Sequence, residues 1–291
     1  MMKYMKRTIC ICLLATILLL QGCLGAPGGV VDTGKVPPST RAPSVTEYHL
    51  NTKYTYRTQV KEEMLVTGLH PDYLLLASKS YPLGKGYAPK MLVTLENRIL
   101  TSWHQSEKIQ LEARAATALY AMLAEMEADG VTDIKVTSAY RGYQYQYNLY
   151  NKYVELEQKG ISQEAYQYFG KTYIQTNYID RGIACLTESD AILVVGSYSA
   201  PAGASEHQTG LCVDFITAGM AGELTEAFAS TEAFAWLSQN AYRFGFILRY
   251  PKGREDVTGY RYEPWHYRFV GREAATDIYF GNLTLEEYLG H

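Results

Sequence analysis

Ser205-Glu-His-Gln-Thr-Gly-Leu-Cys-Val-Asp214 is the stretch on which the reading of this chain turns, together with Glu263-Pro-Trp-His-Tyr-Arg268 about fifty residues later. His207 and Asp214 are seven positions apart, an odd separation that would put them on opposite faces of one regular strand, so the backbone has to turn between them. Gly210 stands where that turn is needed. Glu263 and His266 are three apart, a spacing that a helical turn or a bent strand can aim into one pocket, and Pro264 argues against a central, fully paired strand. Both stretches are therefore expected at strand ends or loops. The side chains they gather, two imidazoles and two carboxylates, suit a zinc ion with one open position: His207, Asp214 and His266 as ligands, and Glu263 left to take a proton from water at the metal.

Taken singly, a histidine is more often a packed and hydrogen-bonded core residue than a ligand, and His49, His70, His104 and His291 have no second feature that argues otherwise. His207 and His266 do. With Ser138-Ala-Tyr-Arg-Gly-Tyr-Gln-Tyr-Gln146 ahead of them, the two stretches resemble the ordered motifs of the VanY-type D-alanyl-D-alanine carboxypeptidases, zinc peptidases of bacterial peptidoglycan, and the likeness extends over about residues 72–281. One departure stands out. Cys212 occupies a position where the family pattern usually has alanine; it is small and apolar enough to fill that space and is expected to leave the metal set unchanged.

The resemblance implies one zinc per chain and hydrolysis of the C-terminal D-alanine from stem peptides. Glu263 would be the general base, and Arg141 a fixed cation for the substrate carboxylate or the developing oxyanion. Gln146, Ser205 and Trp265 are further candidates for substrate contact. Three other functions are set beside this one: an L,D-carboxypeptidase, an endopeptidase acting within cross-links, and a catalytically inactive peptidoglycan-binding lipoprotein. Glu263 beside a complete ligand set argues against the last.

The chain has 291 residues, 47% hydrophobic and 20% charged, enough for one sizeable core. Its net charge of -3 carries no polybasic signature, which sets nucleic acid aside as a partner. Lys3, Lys6 and Arg7 precede an apolar run over residues 9–20, too short for a comfortable membrane span, and Leu20-Gln-Gly-Cys23 follows. That ending resembles a bacterial lipobox, implying a signal peptide over 1–22, a lipid on Cys23 that anchors the chain to the cell membrane, and an extracytoplasmic location facing the cell wall. Residues 24–45 are poor in large apolar groups and read as a tether, so 23–71 is taken as anchor and linker and 72–291 as the catalytic domain. Removal of the signal leaves Cys185 and Cys212 in the folded part, with a disulfide between them left open.

Within that domain, Tyr73-Leu-Leu-Leu-Ala77 reads as a strand, 109–126 as a helix with Leu119, Met122, Leu123 and Met126 on one face, and Asp133-Ile-Lys-Val-Thr-Ser138 as a strand that delivers Arg141 to a helix start. Tyr143, Tyr147, Tyr150 and Val154 mark a face of that second helix. A further helix is expected over 231–244 and a strand over 246–250. Together these elements predict one α+β domain, a mostly antiparallel sheet flanked by helices with the zinc site at its strand ends and loops, in a monomer.

Overall fold

A computed structural model of the chain describes residues 54–102 and 108–291. Strands β1 (Leu92–Thr94) and β2 (Gln110–Glu112) pair as an antiparallel ribbon. Strands β3 (Lys135–Ser138), β4 (Cys212–Ile216), β5 (Phe246–Leu248) and β6 (His266–Phe269) form a sheet in the order β3-β4-β6-β5, every neighbouring pair antiparallel.

Alternation along the two middle strands decides what each face of this sheet does. Val213 and Phe215 on β4, and Tyr267 and Phe269 on β6, enter the main hydrophobic core. Neighbouring side chains leave a strand on opposite faces, so Cys212, Asp214, His266 and Arg268 point to the other side. The site is thus the polar face of a sheet whose apolar face is the core.

β3 carries the one irregularity. Val136 lies opposite Phe215, but Ser138 lies opposite Asp214, so one extra residue is inserted between them. A bulge of this kind reverses the alternation. It lets Val136 pack in the core and Ser138, two positions later, join the site face.

Helix α1 (Ala113–Ala128) buries Ala115, Ala118, Leu119, Met122 and Met126 at the three- and four-residue steps the sequence predicts. It begins at 113 rather than 109 because Gln110–Glu112 pairs with β1 and the Glu112 carboxylate caps the helix, accepting from the backbone N–H groups of Arg114 and Ala115. Helices α2 (Tyr143–Glu157), α3 (Gln163–Phe169), α4 (Lys171–Asn177) and α5 (Glu188–Tyr198) surround a separate cluster that includes Val154, Ala165, Ile174, Ala191 and Val195. The face expected on α2 is buried only in part: Val154 is enclosed and Tyr150 packs half-buried against the same cluster, but Tyr147 is 50% exposed, and Gln146 and Glu157, not among the residues expected there, are buried. A phenol tolerates water at its rim, whereas Gln146 is enclosed because both ends of its amide are hydrogen-bonded.

The helix expected over 231–244 divides into α6 (Glu232–Asn240) and a 3-10 turn, Ala241–Phe244. The loop after β5 holds the short α7 (Glu255–Thr258). The chain ends in α8 (Arg272–Gly281) and α9 (Leu285–Leu289), the latter closed at its start by a Thr284–Glu287 capping box.

Two expectations are corrected here. Tyr73-Leu-Leu-Leu-Ala77 is not a strand: Pro71–Tyr73 is a 3-10 turn, and the carbonyls of Tyr73 and Leu75 accept from the Arg268 guanidinium at 3.0 and 2.8 Å instead of from a neighbouring strand. The linker expected to run to residue 71 is folded from Tyr54 onward. Glu125 accepts from the backbone N–H groups of Arg57 and Thr58 at 2.6 and 2.9 Å, and Leu65 is in the core. The signal segment, Cys23 and the tether over 24–45 lie outside the described residues, as does His104. Among the described residues no helix is long and apolar enough to cross a membrane.

Gly210 meets its expectation in detail. It closes the 3-10 turn Glu206–Thr209 with φ 67°, and a Cβ there would sit 2.7 Å from Pro89 Cγ. Gly210→Ala is expected to lower stability by about 1–3 kcal/mol through left-handed strain and this clash, measurable by denaturant unfolding.

Candidate active site

Asp214 and His266 are directly opposed across β4 and β6, which places the Asp214 Oδ1 atom 2.8 Å from His266 Nδ1. His207 comes from the 3-10 turn before β4, with its Nε2 atom 3.2 Å from Asp214 Oδ2. The two imidazole centroids are 5.1 Å apart, and all three side chains are buried. The structure therefore gathers the three residues chosen from the sequence, although Asp214 lies within a strand rather than at its end.

The outer nitrogens show how these rings are held. His207 Nδ1 is 2.5 Å from the Ala139 carbonyl oxygen, a contact that requires the proton on Nδ1 and leaves the Nε2 lone pair facing Asp214. His266 Nε2 and Glu206 Oε2 are 3.6 Å apart, each buried and without another partner, so the Glu206 carboxylate backs the ring whose Nδ1 faces Asp214. Inward nitrogen lone pairs, outward N–H groups aimed at oxygen, and one carboxylate between the rings are an arrangement that could hold a zinc ion, with supporting oxygens behind it. Burial alone would raise the Asp214 carboxyl, but the two imidazoles hold it well below the usual carboxylate range.

Glu263 stands beside this set. A tight turn places it there: its backbone N–H donates to the Tyr250 carbonyl, and its carbonyl accepts from the N–H of His266, both at 3.1 Å. Its Oε2 atom is 3.9 Å from His266 Nδ1, near but not hydrogen-bonded. Burial raises its carboxyl to about 7, with His266 pulling the other way and Asp214 adding to the rise. A carboxylate of that basicity can accept and return a proton near neutral pH.

Arg141 follows the β3 bulge. Its Nε donates to Gln146 Oε1 at 2.9 Å and its Nη1 to Ser138 Oγ at 2.7 Å, and Nη1 is 3.8 Å from Asp214 Oδ2. The side chain keeps 22% exposure, so the guanidinium sits at the rim of the site, locked in orientation. Of the other substrate-contact candidates, Gln146 is fully buried with its amide given to Arg141 and the Ala200 carbonyl, and it acts as a strut for Arg141. Trp265 packs in the main core, on the sheet face away from the site. Ser205 is buried and makes no side-chain capping bond. Cys185 is exposed, Cys212 is buried, and both are free thiols.

A buried charge network behind the site is absent from the sequence reading. Glu206 Oε1 accepts from Arg249 Nε at 2.8 Å and Arg268 Nη1 at 2.7 Å, and Arg249 also grips Glu286 with two donors at 2.9 and 2.5 Å. The available signal is period two on β6, where Arg268 lies two after His266 and so leaves the same face; Arg249, just past the end of β5, has no such marker.

The fold and the site together define a metal-dependent peptidase. Residues 108–272 match the VanY D-alanyl-D-alanine carboxypeptidase family. The chain is 34% identical to the putative carboxypeptidase YodJ of Bacillus subtilis (strain 168), over 84% of this chain and 76% of that one. It is 36% identical to a D-alanyl-D-alanine carboxypeptidase of Enterococcus faecalis (strain ATCC 700802 / V583), over 62% and 56% respectively. Among solved structures it is similar to the LdcB LD-carboxypeptidase, with TM-score 0.58, 31% identity, and coverage of 79% of this chain and 96% of that one. It is also similar to a mutant of the vancomycin-resistance D,D-pentapeptidase VanY in complex with Zn(II), with TM-score 0.54, 32% identity, and coverage of 75% and 99%. The chain belongs to the VanY D-alanyl-D-alanine carboxypeptidase family.

Proposed function

We propose that this protein is a zinc carboxypeptidase that hydrolyses the C-terminal D-alanine from peptidoglycan stem peptides. His207, Asp214 and His266 would hold the zinc, Glu263 serves as base and then acid, and Arg141 meets the substrate. The observation that carries this reading is Glu263: a buried carboxylate raised to about 7, next to three converging donors and bonded to none of them. An inactive binding module has no use for it.

When bound, zinc supplies Lewis acidity and a water acidified toward a pKa of about 7. Glu263 would accept a proton from the water that attacks the terminal peptide carbonyl and return it to the departing D-alanine amine. Arg141, braced by Gln146 and Ser138, presents its guanidinium at the rim, where a free C-terminal carboxylate or the developing oxyanion comes to rest. Every residue of the site comes from one chain, so a monomer is sufficient. The lipobox-like Leu20-Gln-Gly-Cys23 supports anchorage through a lipid on Cys23, with the catalytic domain facing the wall. A mature N-terminus other than lipidated Cys23, by mass spectrometry, would overturn the anchor.

Defined pentapeptide and tetrapeptide stems, digested and resolved by mass, test the activity. Release of one D-alanine from the pentapeptide, no cleavage of the tetrapeptide, loss of release with chelator and its return with zinc are expected. Cleavage of the tetrapeptide alone would move the assignment to the L,D reading that the likeness to LdcB keeps in view. No cleavage of either stem would contradict both.

A further inference from the structure

A cleft of about 510 Å³ opens beside the metal-site residues, and the proposed reaction gives it no task. One wall is Tyr150 of α2 with Ile192 and Leu193 of α5; the other is Lys79 and the chain that leaves α7, Gly259 to Arg261. Three features make it continuous with the catalytic set. Pro201 lines it directly after Ala200, the residue whose carbonyl holds Gln146 behind Arg141. The Tyr260 hydroxyl donates to the Ala204 carbonyl at 3.3 Å, one residue before Ser205. Arg261 stands two residues before Glu263, and its charge reaches that carboxyl.

What sets the cleft apart is charge without counter-charge. Lys79 gives an N–H to the Gly259 carbonyl at 2.6 Å and lies over the Tyr260 ring, 4.4 Å from its centre. The Arg261 guanidinium lies over the Tyr198 ring at 5.1 Å. These contacts aim both cations without neutralising them, and among the described residues neither pairs with a carboxylate. Glu255 is the one acidic residue of the lining, and it accepts from the Gly253 N–H at 3.2 Å rather than from either cation. Apolar walls with a few convergent polar groups are the ordinary form of a ligand subsite, and the group that fits two fixed, unneutralised cations is a carboxylate.

We propose that this cleft is a specificity subsite for the stem on the amino-terminal side of the scissile bond, in which Arg261 and Lys79 hold a free carboxylate of the second or third stem residue. This rests on the carboxypeptidase reading above and says which stems it favours. An extended peptide advances about 3.3–3.6 Å per residue, so a group one or two residues upstream of the cleaved bond comes within reach of Arg261, itself two residues from Glu263. The primary amide of the same group offers a neutral oxygen and turns N–H donors toward two cations, which makes an amidated stem the poorer ligand. The subsite thereby sorts stems by charge, while Arg141 and Glu263 act at the terminal D-alanine.

Pentapeptide stems with the second- and third-residue carboxylates free, or each capped in turn as the primary amide, read this on the zinc-loaded full chain. kcat/KM is expected to favour the free acid over the amide at one of the two positions by about 10-fold, the low end for a charge-assisted hydrogen bond, with the difference carried by KM. That ratio should fall to about 2-fold or less in Arg261→Gln and shrink in Lys79→Gln, whereas Arg261→Lys keeps most of it. The ratio is the readout because Arg261 also bears on Glu263, an effect that acts on acid and amide stems alike. Equal handling of acid and amide stems, or a preference that both Gln variants retain, would overturn the proposal. So would a preference for disaccharide-linked over free stems that vanishes in the variants while acid and amide stay equal, which would give the cleft to the glycan. Failure of the carboxypeptidase reading looks different: no stem then loses D-alanine, and calorimetric titration of the same stems into the zinc-loaded protein decides the subsite alone, an acid preference lost in Arg261→Gln upholding it and equal binding overturning it.

Discussion

Glu263→Gln is expected to lower kcat on a pentapeptide stem by about 10²–10⁴-fold while zinc content and unfolding midpoint stay near those of the unaltered protein. The range is what a positioned proton-transfer group typically contributes. Glutamine preserves shape and removes only the basic oxygen. Because Glu263 is held by its own backbone, through Tyr250 on one side and His266 on the other, the substitution should leave the loop in place. The pH profile sharpens the test. Burial raises this carboxyl to about 7, and a bound dication draws it down, so the ionised base accumulates, and activity climbs, as pH rises through a limb at or below that value. The variant should lose the limb along with the rate. A Gln variant that turns over within a few-fold of the unaltered protein would remove Glu263 from the reaction.

Glu206→Gln should be the most damaging single change to stability. Its carboxylate is shared by the Arg249 and Arg268 guanidiniums, and all three side chains are fully enclosed. Removing the charge leaves two buried cations with only Glu286 to balance them, a loss of about 3–5 kcal/mol by comparison with other broken buried pairs. The acid response has a definite sign. Burial pushes Glu206 up, but the two arginines outweigh it and hold the carboxyl well below its ordinary 4.5. Its contribution is therefore complete above pH 4.5 and fades as pH falls below that, when the unfolded chain takes up a proton that the folded one refuses. Unfolding at pH 7 and at pH 4 should show the variant weaker at the first and less acid-sensitive between the two. The same change deprives His266 Nε2 of its carboxylate neighbour, so zinc affinity should fall by about 10–100-fold. A stability loss under 1 kcal/mol would mean that the network is not what holds this end of the sheet.

The contrast between these two residues shows what the sequence could carry. Glu263, His207, Asp214 and His266 were legible because the chemistry of a metal peptidase demands particular residue types, and motif order narrows them to single positions. Helix α1 and strand β3 were legible from hydrophobic period. Glu206 lies next to His207 and Arg268 next but one to His266, yet neither was assigned, because a buried ion network is a property of who faces whom across β4, β5 and β6, and period along one strand does not specify partners. The stretch from Tyr73 to Ala77 failed for the related reason that its carbonyls are satisfied by the side chain of Arg268, a choice made nearly two hundred residues away. Trp265 illustrates a third limit: it sits between base and ligand in sequence, but strand alternation sends it to the opposite face, into the core.

Zinc content by elemental analysis, on the purified full chain and on His207→Ala, Asp214→Ala, His266→Ala and Glu263→Gln, tests most directly whether the three residues hold a metal and the fourth does not. One zinc per chain is expected in the unaltered protein and in Glu263→Gln, with a large loss in each of the other three. Zinc kept by all three ligand variants, or lost from Glu263→Gln as completely as from His207→Ala, would contradict the division of labour between ligands and base.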